Sequence, residues 1–163
     1  MCRVGSGENN MIPKKFFVTS GKAISKVSEI NAFDLALREA GIAKCNLVPV
    51  SSILPNGCRE IVPEDIPVGS ITYVVLAKME CSKEKQISAG IAWVWEKYEK
   101  FGLVMEAHGY GDQNKLKKTL EKMIKEMAKI RNIEISNIDY RVDSTNIPPH
   151  AHGCVLAALV FIP

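Results

Sequence analysis

The sequence predicts an α+β fold, a pair of mostly antiparallel sheets flanked by helices, and three observations carry that expectation. Two segments repeat apolar residues at three- and four-residue steps, one from Ile30 to Ala40 and one from Asp112 onward. Around them lie β-branched and aromatic runs joined by short polar turns, the pattern of hairpin-linked strands rather than of alternating strand and helix. At 163 residues, with 47% hydrophobic and 24% charged residues, the chain suits one globular domain able to bury a sizeable core.

Taken in order, residues 1–14 read as a loose tail, because Met1 to Asn10 are rich in Gly, Ser and Asn and show no periodicity. Met11 is a second candidate start, and the domain proper is expected over 15–163. Phe16 to Thr19 reads as a strand that meets a turn at Ser20-Gly21. Ser28 is placed to cap the first helix, Ile30, Phe33, Leu37 and Ala40 form its apolar stripe, and Gly41 supplies the left-handed residue after its end. Asp34 on this helix is open to two readings: a partner for Arg38 at i+4 on a solvated face, or a carboxylate with a task.

Asn46 to Leu54 then reads as a strand, followed by a proline-punctuated loop from Pro55 to Pro67. Gly69 to Glu80, Ile87 to Trp95 and Gly102 to Ala107 are further strands, with a polar turn at 82–86 and a charged turn at Glu96 to Lys100. In the second helix Leu116, Leu120, Met123, Ile124, Met127 and Ile130 share one face and Lys and Glu the other. Ile138 to Val142 and Gly153 to Ile162 close the chain, the last strand apolar on both faces and therefore central or at an interface.

Several function classes are disfavoured at once. A net charge of +3, evenly spread, gives no footprint for nucleic acid. Cys2, Cys45, Cys58, Cys81 and Cys154 form no C-x-x-C pair and leave an odd thiol, which suits free cysteines in a reducing cytoplasm. Neither a signal-peptide pattern nor an apolar run of membrane-spanning length is present. His150-Ala151-His152 lacks a third ligand in any zinc spacing and reads as an exposed loop.

The informative oddity is Ser51-Ser52 inside the apolar run Leu47 to Leu54. Adjacent strand residues point to opposite faces, so two hydroxyls in succession either begin a turn or are kept for chemistry. The ordered set Asn31-Ala32-Phe33-Asp34, Ala40-Gly41-Ile42, Asn46-Leu47, Ser51-Ser52-Ile53-Leu54-Pro55 and Ile61-Val62-Pro63 weighs toward the second. With Gly102-Leu103-Val104-Met105-Glu106 and Glu126-Met127-Ala128-Lys129, it resembles the archaeal-type pyruvoyl-dependent arginine decarboxylases from about residue 15 to the C-terminus.

That resemblance implies an αββα sandwich, assembled as a homotrimer or a multiple of it with active sites between protomers. It also implies self-cleavage between Ser51 and Ser52 into a β chain, 1–51, and an α chain, 52–163, the latter starting with a pyruvoyl group derived from Ser52. The implied activity is decarboxylation of arginine to agmatine and CO2 for polyamine biosynthesis, without nucleic acid or membrane as partner and without metal. By the same resemblance Asn46 assists self-processing, Glu106 is the proton donor, Asp34 receives the guanidinium, and Leu37, Cys45 and Ile53 line the substrate pocket. One departure stands out: Ala43-Lys44 precedes Cys45 where the family has a glycine.

The chemistry is consistent with these residue types. Decarboxylation leaves an electron pair at Cα that must enter a conjugated carbonyl, and the chain shows no sign of an external cofactor to provide one. Ser52 could make it from the backbone: its hydroxyl attacks the Ser51 carbonyl, the resulting ester is eliminated, and the dehydroalanine left behind hydrolyses to a ketone with loss of ammonia. A polar group at the Ser51 carbonyl would stabilise the first oxyanion, and Asn46 is the candidate if the strand end bends back toward it. Glu106 follows an apolar run suited to raising a carboxyl pKa, although it also reads as a polar strand end before His108-Gly109. A carboxylate such as Asp34 matches a guanidinium fork. The competing readings are a pyruvoyl enzyme for another amino acid, such as histidine, and a trimeric ligand-binding module of the same fold that never cleaves.

Overall fold

A computed structural model describes residues 12–163 as nine strands and two helices. Cys2, Met11 and most of the expected tail lie outside the described residues. Lys14 is already tied in, donating its N–H to the Ile162 carbonyl at 3.2 Å.

β1 (Lys15–Ser25) pairs antiparallel with the C-terminal strand β9 (His152–Ile162) along its whole length. The strand therefore runs straight through Ser20-Gly21, where the sequence suggests a turn. Gly21 serves a different purpose: a Cβ there would lie 2.1 Å from the Ala36 carbonyl oxygen. Its bare face lets α1 (Glu29–Glu39) sit directly on the sheet.

Ser28 caps α1 as expected, accepting the Asn31 N–H at 3.1 Å, and Gly41 is left-handed at φ +77°. The buried stripe is a correction. Ala32, Ala36 and Ala40 face the sheet, Phe33 and Leu37 flank them, and Ile30 is 77% exposed. Close approach at Gly21 favours small residues at the contact, so the large aliphatics are pushed to the rim.

Asn46 to Leu54 is not one strand but two, in different sheets. β2 (Asn46–Pro49) runs parallel to β5 (Ile71–Cys81) at the edge of a five-stranded sheet ordered β2-β5-β9-β1-β4, where β4 is Arg59–Glu60. β3 (Ile53–Leu54) pairs with β7 (Gly102–Tyr110) at the edge of a four-stranded sheet ordered β3-β7-β6-β8, with β6 Gln86–Trp95 and β8 Asp139–Asn146. The β6–β7 hairpin forms as expected, whereas the polar turn before β6 carries the chain between sheets.

α2 (Gln113–Ile130), capped by Asp112, packs on the four-stranded sheet through Leu116, Leu120, Ile124 and Ala128. Met123 and Ile130, assigned to its buried face by spacing, are exposed at 37% and 76%.

Three apolar layers hold the sandwich. α1 and the five-stranded sheet enclose Phe17, Ala36, Leu156 and Val160. The two sheets enclose Phe16, Ile91, Val104 and Leu159, and α2 seals the far side. The order is thus helix, sheet, sheet, helix, and β9 is central with both faces buried.

Candidate active site

Pro49 lacks an N–H, which suits the edge position of β2. One residue later, the Val50 N–H still reaches the Val74 carbonyl at 2.8 Å, the last tie to the five-stranded sheet. Beyond the serine pair, the Ser52 carbonyl accepts the Val104 N–H at 2.8 Å, the first tie to the four-stranded sheet. The Ser51–Ser52 peptide is therefore the span between two anchored edges. Ser51 is exposed, Ser52 is half-buried, and among the described residues neither hydroxyl has a hydrogen-bond partner. Both sides of the linkage are held while the linkage itself is accessible.

β7 brings Glu106 to the same edge. Ile53 lies opposite Leu103 and Leu54 opposite Gly102, so Ser52 lies opposite Val104. Glu106 is two residues further along the same face, a rise of about 7 Å on an antiparallel strand. It is exposed in the single chain, yet the atoms packed around its carboxyl raise its pKa above the usual carboxylate value. Charge on His108 and the Leu76 backbone N–H pull it partly back.

A cleft of about 620 Å³, the size of a small-molecule site, opens beside Ser51 and Ile53. Ile66, Ile71 and Tyr73 form apolar walls, and Glu64 and Asp65 also line it. The last two belong to the stretch that reads from sequence as a plain surface loop. Their approach to Ser51 depends on how that loop folds back, which no local signal encodes.

The remaining predicted residues collect elsewhere. Asp34 is exposed on α1 and forms no ion pair with Arg38. Leu37 and Cys45 pack half-buried in the layer beneath α1, the Cys45 thiol donating to the Ile42 carbonyl at 3.2 Å. Asn46 opens β2 with its side-chain amide donating to the Gly69 carbonyl at 3.0 Å and its backbone N–H donating to Ser70. The bend expected to return it to the Ser51 carbonyl is absent. Extended β2 intervenes instead, at about 3.3 Å per residue.

One chain thus carries two clusters: Ser51, Ser52, Ile53 and Glu106 at the crossing, and Asp34, Leu37, Cys45 and Asn46 around α1 and the start of β2. His150 and His152 join neither. His150 is exposed in a left-handed turn, and His152 Nδ1 lies 2.6 Å from the Ser82 hydroxyl.

Comparison with known proteins bears on this geometry. The family described as pyruvoyl-dependent arginine decarboxylase matches residues 15–163. A protein of that name from Methanothermobacter thermautotrophicus is 32% identical over 154 residues, 93% of this chain and 99% of the relative. One from Methanococcoides burtonii is 40% identical over 111 residues, covering 64% of this chain and 61% of the relative. A pyruvoyl-dependent arginine decarboxylase 2 from Methanosarcina mazei is 37% identical, the chain spanning 59% of its length.

Proposed function

The chain belongs to the pyruvoyl-dependent arginine decarboxylase family, and on that footing we propose that it converts L-arginine to agmatine and CO2 with a pyruvoyl group made from its own Ser52. Such a group supplies an electrophilic carbonyl that takes up the substrate amine and then the electron pair released as CO2 departs. Ser52 attacks the Ser51 carbonyl to begin maturation, Glu106 returns a proton to Cα, and Asp34 receives the guanidinium. Leu37, Cys45 and Ile53 shape the pocket.

The observation that carries this reading is the serine pair itself: a peptide anchored to one sheet through Val50 and to the other through Ser52, on the strand edge that presents Glu106. Residues that one chain holds apart are united in a homotrimer or a multiple of it, with sites between protomers. Exposed apolar side chains near the crossing, Val48, Ile53, Ile71 and Tyr73, are suited to such an interface. Asn46 acts on processing within that assembly. Among the described residues no helix is long and apolar enough to cross a membrane. We place the enzyme in the cytoplasm and its product in polyamine synthesis.

Intact-mass measurement under denaturing conditions tests the proposal most directly. Purified protein gives fragments of residues 1–51 and 52–163, the second blocked at its N-terminus and reactive toward hydrazine, and Ser52→Ala gives one uncut, inactive chain. A wild-type chain that stays whole, with no trappable ketone, removes the proposed chemistry.

A further inference from the structure

Among the described residues the carbonyl of residue 52 accepts one backbone hydrogen bond, from the Val104 N–H, at 2.8 Å. At an ordinary sheet edge this would be one more rung of the β3–β7 ladder. This oxygen is different, because it is conjugated with the carbonyl that residue 52 acquires on maturation. We propose that the Val104 backbone N–H is a catalytic donor, stabilising the negative charge that gathers on the residue-52 carbonyl oxygen during decarboxylation. The inference rests on the function proposed above and adds to it.

The electron balance locates the need. When the bond between Cα and the substrate carboxylate breaks, CO2 leaves without the bonding pair. That pair enters the conjugated system and comes to rest in part on the residue-52 oxygen. It returns to Cα when Glu106 delivers its proton, leaving Glu106 anionic until it takes another from solvent. The charge on the oxygen is transient, so a donor already in place costs no reorganisation at the moment of reaction.

The position of this donor is fixed from both sides. Val104 is fully buried and lies opposite Trp93 on β6, while the pairs Ile53–Leu103 and Leu54–Gly102 lock the register next to it. The register is further constrained at Gly102, where a Cβ would lie 2.9 Å from Leu54 Cδ1. A separation of 2.8 Å matches an oxyanion donor. One strand then supplies both electrostatic partners: a backbone N–H for the oxygen that gains charge and, two residues on, a carboxyl for the carbon that loses it.

An amide-to-ester replacement at Val104 tests this, since it deletes the N–H and keeps the side chain. The variant is expected to mature and to carry a hydrazine-reactive ketone, with kcat reduced about 100-fold or more and KM changed by less than about twofold. With 13C at the residue-52 carbonyl, its infrared band moves to higher frequency than in the wild-type enzyme. A matured variant whose band moves while kcat stays within about twofold of wild type overturns the proposal. If the variant does not mature, the labelled wild-type enzyme decides: a band at the frequency of an unbonded amide overturns it, and a lowered band upholds it. Failure of the wild type to cleave would instead remove the function on which the inference stands.

Discussion

Glu106 combines an exposed position with a carboxyl pKa raised by the atoms packed around it, and for the proton donor proposed above the direction matters. A raised pKa keeps the acid form populated to higher pH, so kcat should decline as pH rises through that value rather than through the ordinary carboxylate range. Glu106→Gln should mature normally and lose about 10²- to 10⁴-fold in kcat. The declining limb should vanish from whatever rate remains, and its persistence in a pH profile would assign the proton to another group. Burial acts oppositely on reactivity at the thiols: Cys58 and Cys154 are pushed up to about 11 and about 12, which keeps them protonated and inert. Legibility in the sequence followed chemistry here. Side chains with distinctive chemistry, such as Ser52, Asp34 and Glu106, could be assigned expected roles from the motifs that carry the family resemblance. The Val104 N–H could not, because every non-proline residue has one and only strand register decides where it points.

At the scale of elements, the ends of α1 were readable and its buried face was not. Ser28 and Gly41 act locally, one through a side-chain oxygen and one through a backbone angle, so their letters suffice. The alanine stripe depends on Gly21, a residue on another strand, and helical spacing alone favours the larger Ile30. Two substitutions separate these pictures. Gly21→Ala should lower stability by about 1–3 kcal/mol, because the new methyl meets helix backbone rather than a flexible side chain. Ile30→Ala should change it by no more than about 0.5 kcal/mol, as expected for an exposed site. Chemical denaturation of each variant measures both, and a neutral Gly21→Ala would show that the helix can lift away at little cost.

For the whole molecule, the reading of two sheets between two helices held, whereas the crossing at the serine pair was hidden inside an apparently continuous strand. An apolar run from Leu47 to Leu54 looks the same whether its halves pair in one sheet or in two, since burial is apolar in either case. Global placement also separates Asp34 from Glu106, and that separation can be used. If sites form between protomers, an inactive Asp34→Asn protein and an inactive Glu106→Gln protein, mixed in equal amounts under mild conditions that exchange whole folded protomers without unfolding them, should recover about a quarter of wild-type turnover, as random assembly of a closed ring predicts. Assays on the mixture and on each protein treated alone distinguish this from sites contained within one chain, for which no recovery follows.

The pairing of β1 with β9 over eleven residues has a consequence for a severed polypeptide. Residues 1–51 contribute β1 to the interior of the larger sheet and β2 to its rim, and residues 52–163 contribute every strand beside them. The two pieces are interlocked, not merely adjacent. Pulling them apart means ripping out a middle strand and its helix, so nicked molecules would unfold as single units and would not trade halves with their neighbours.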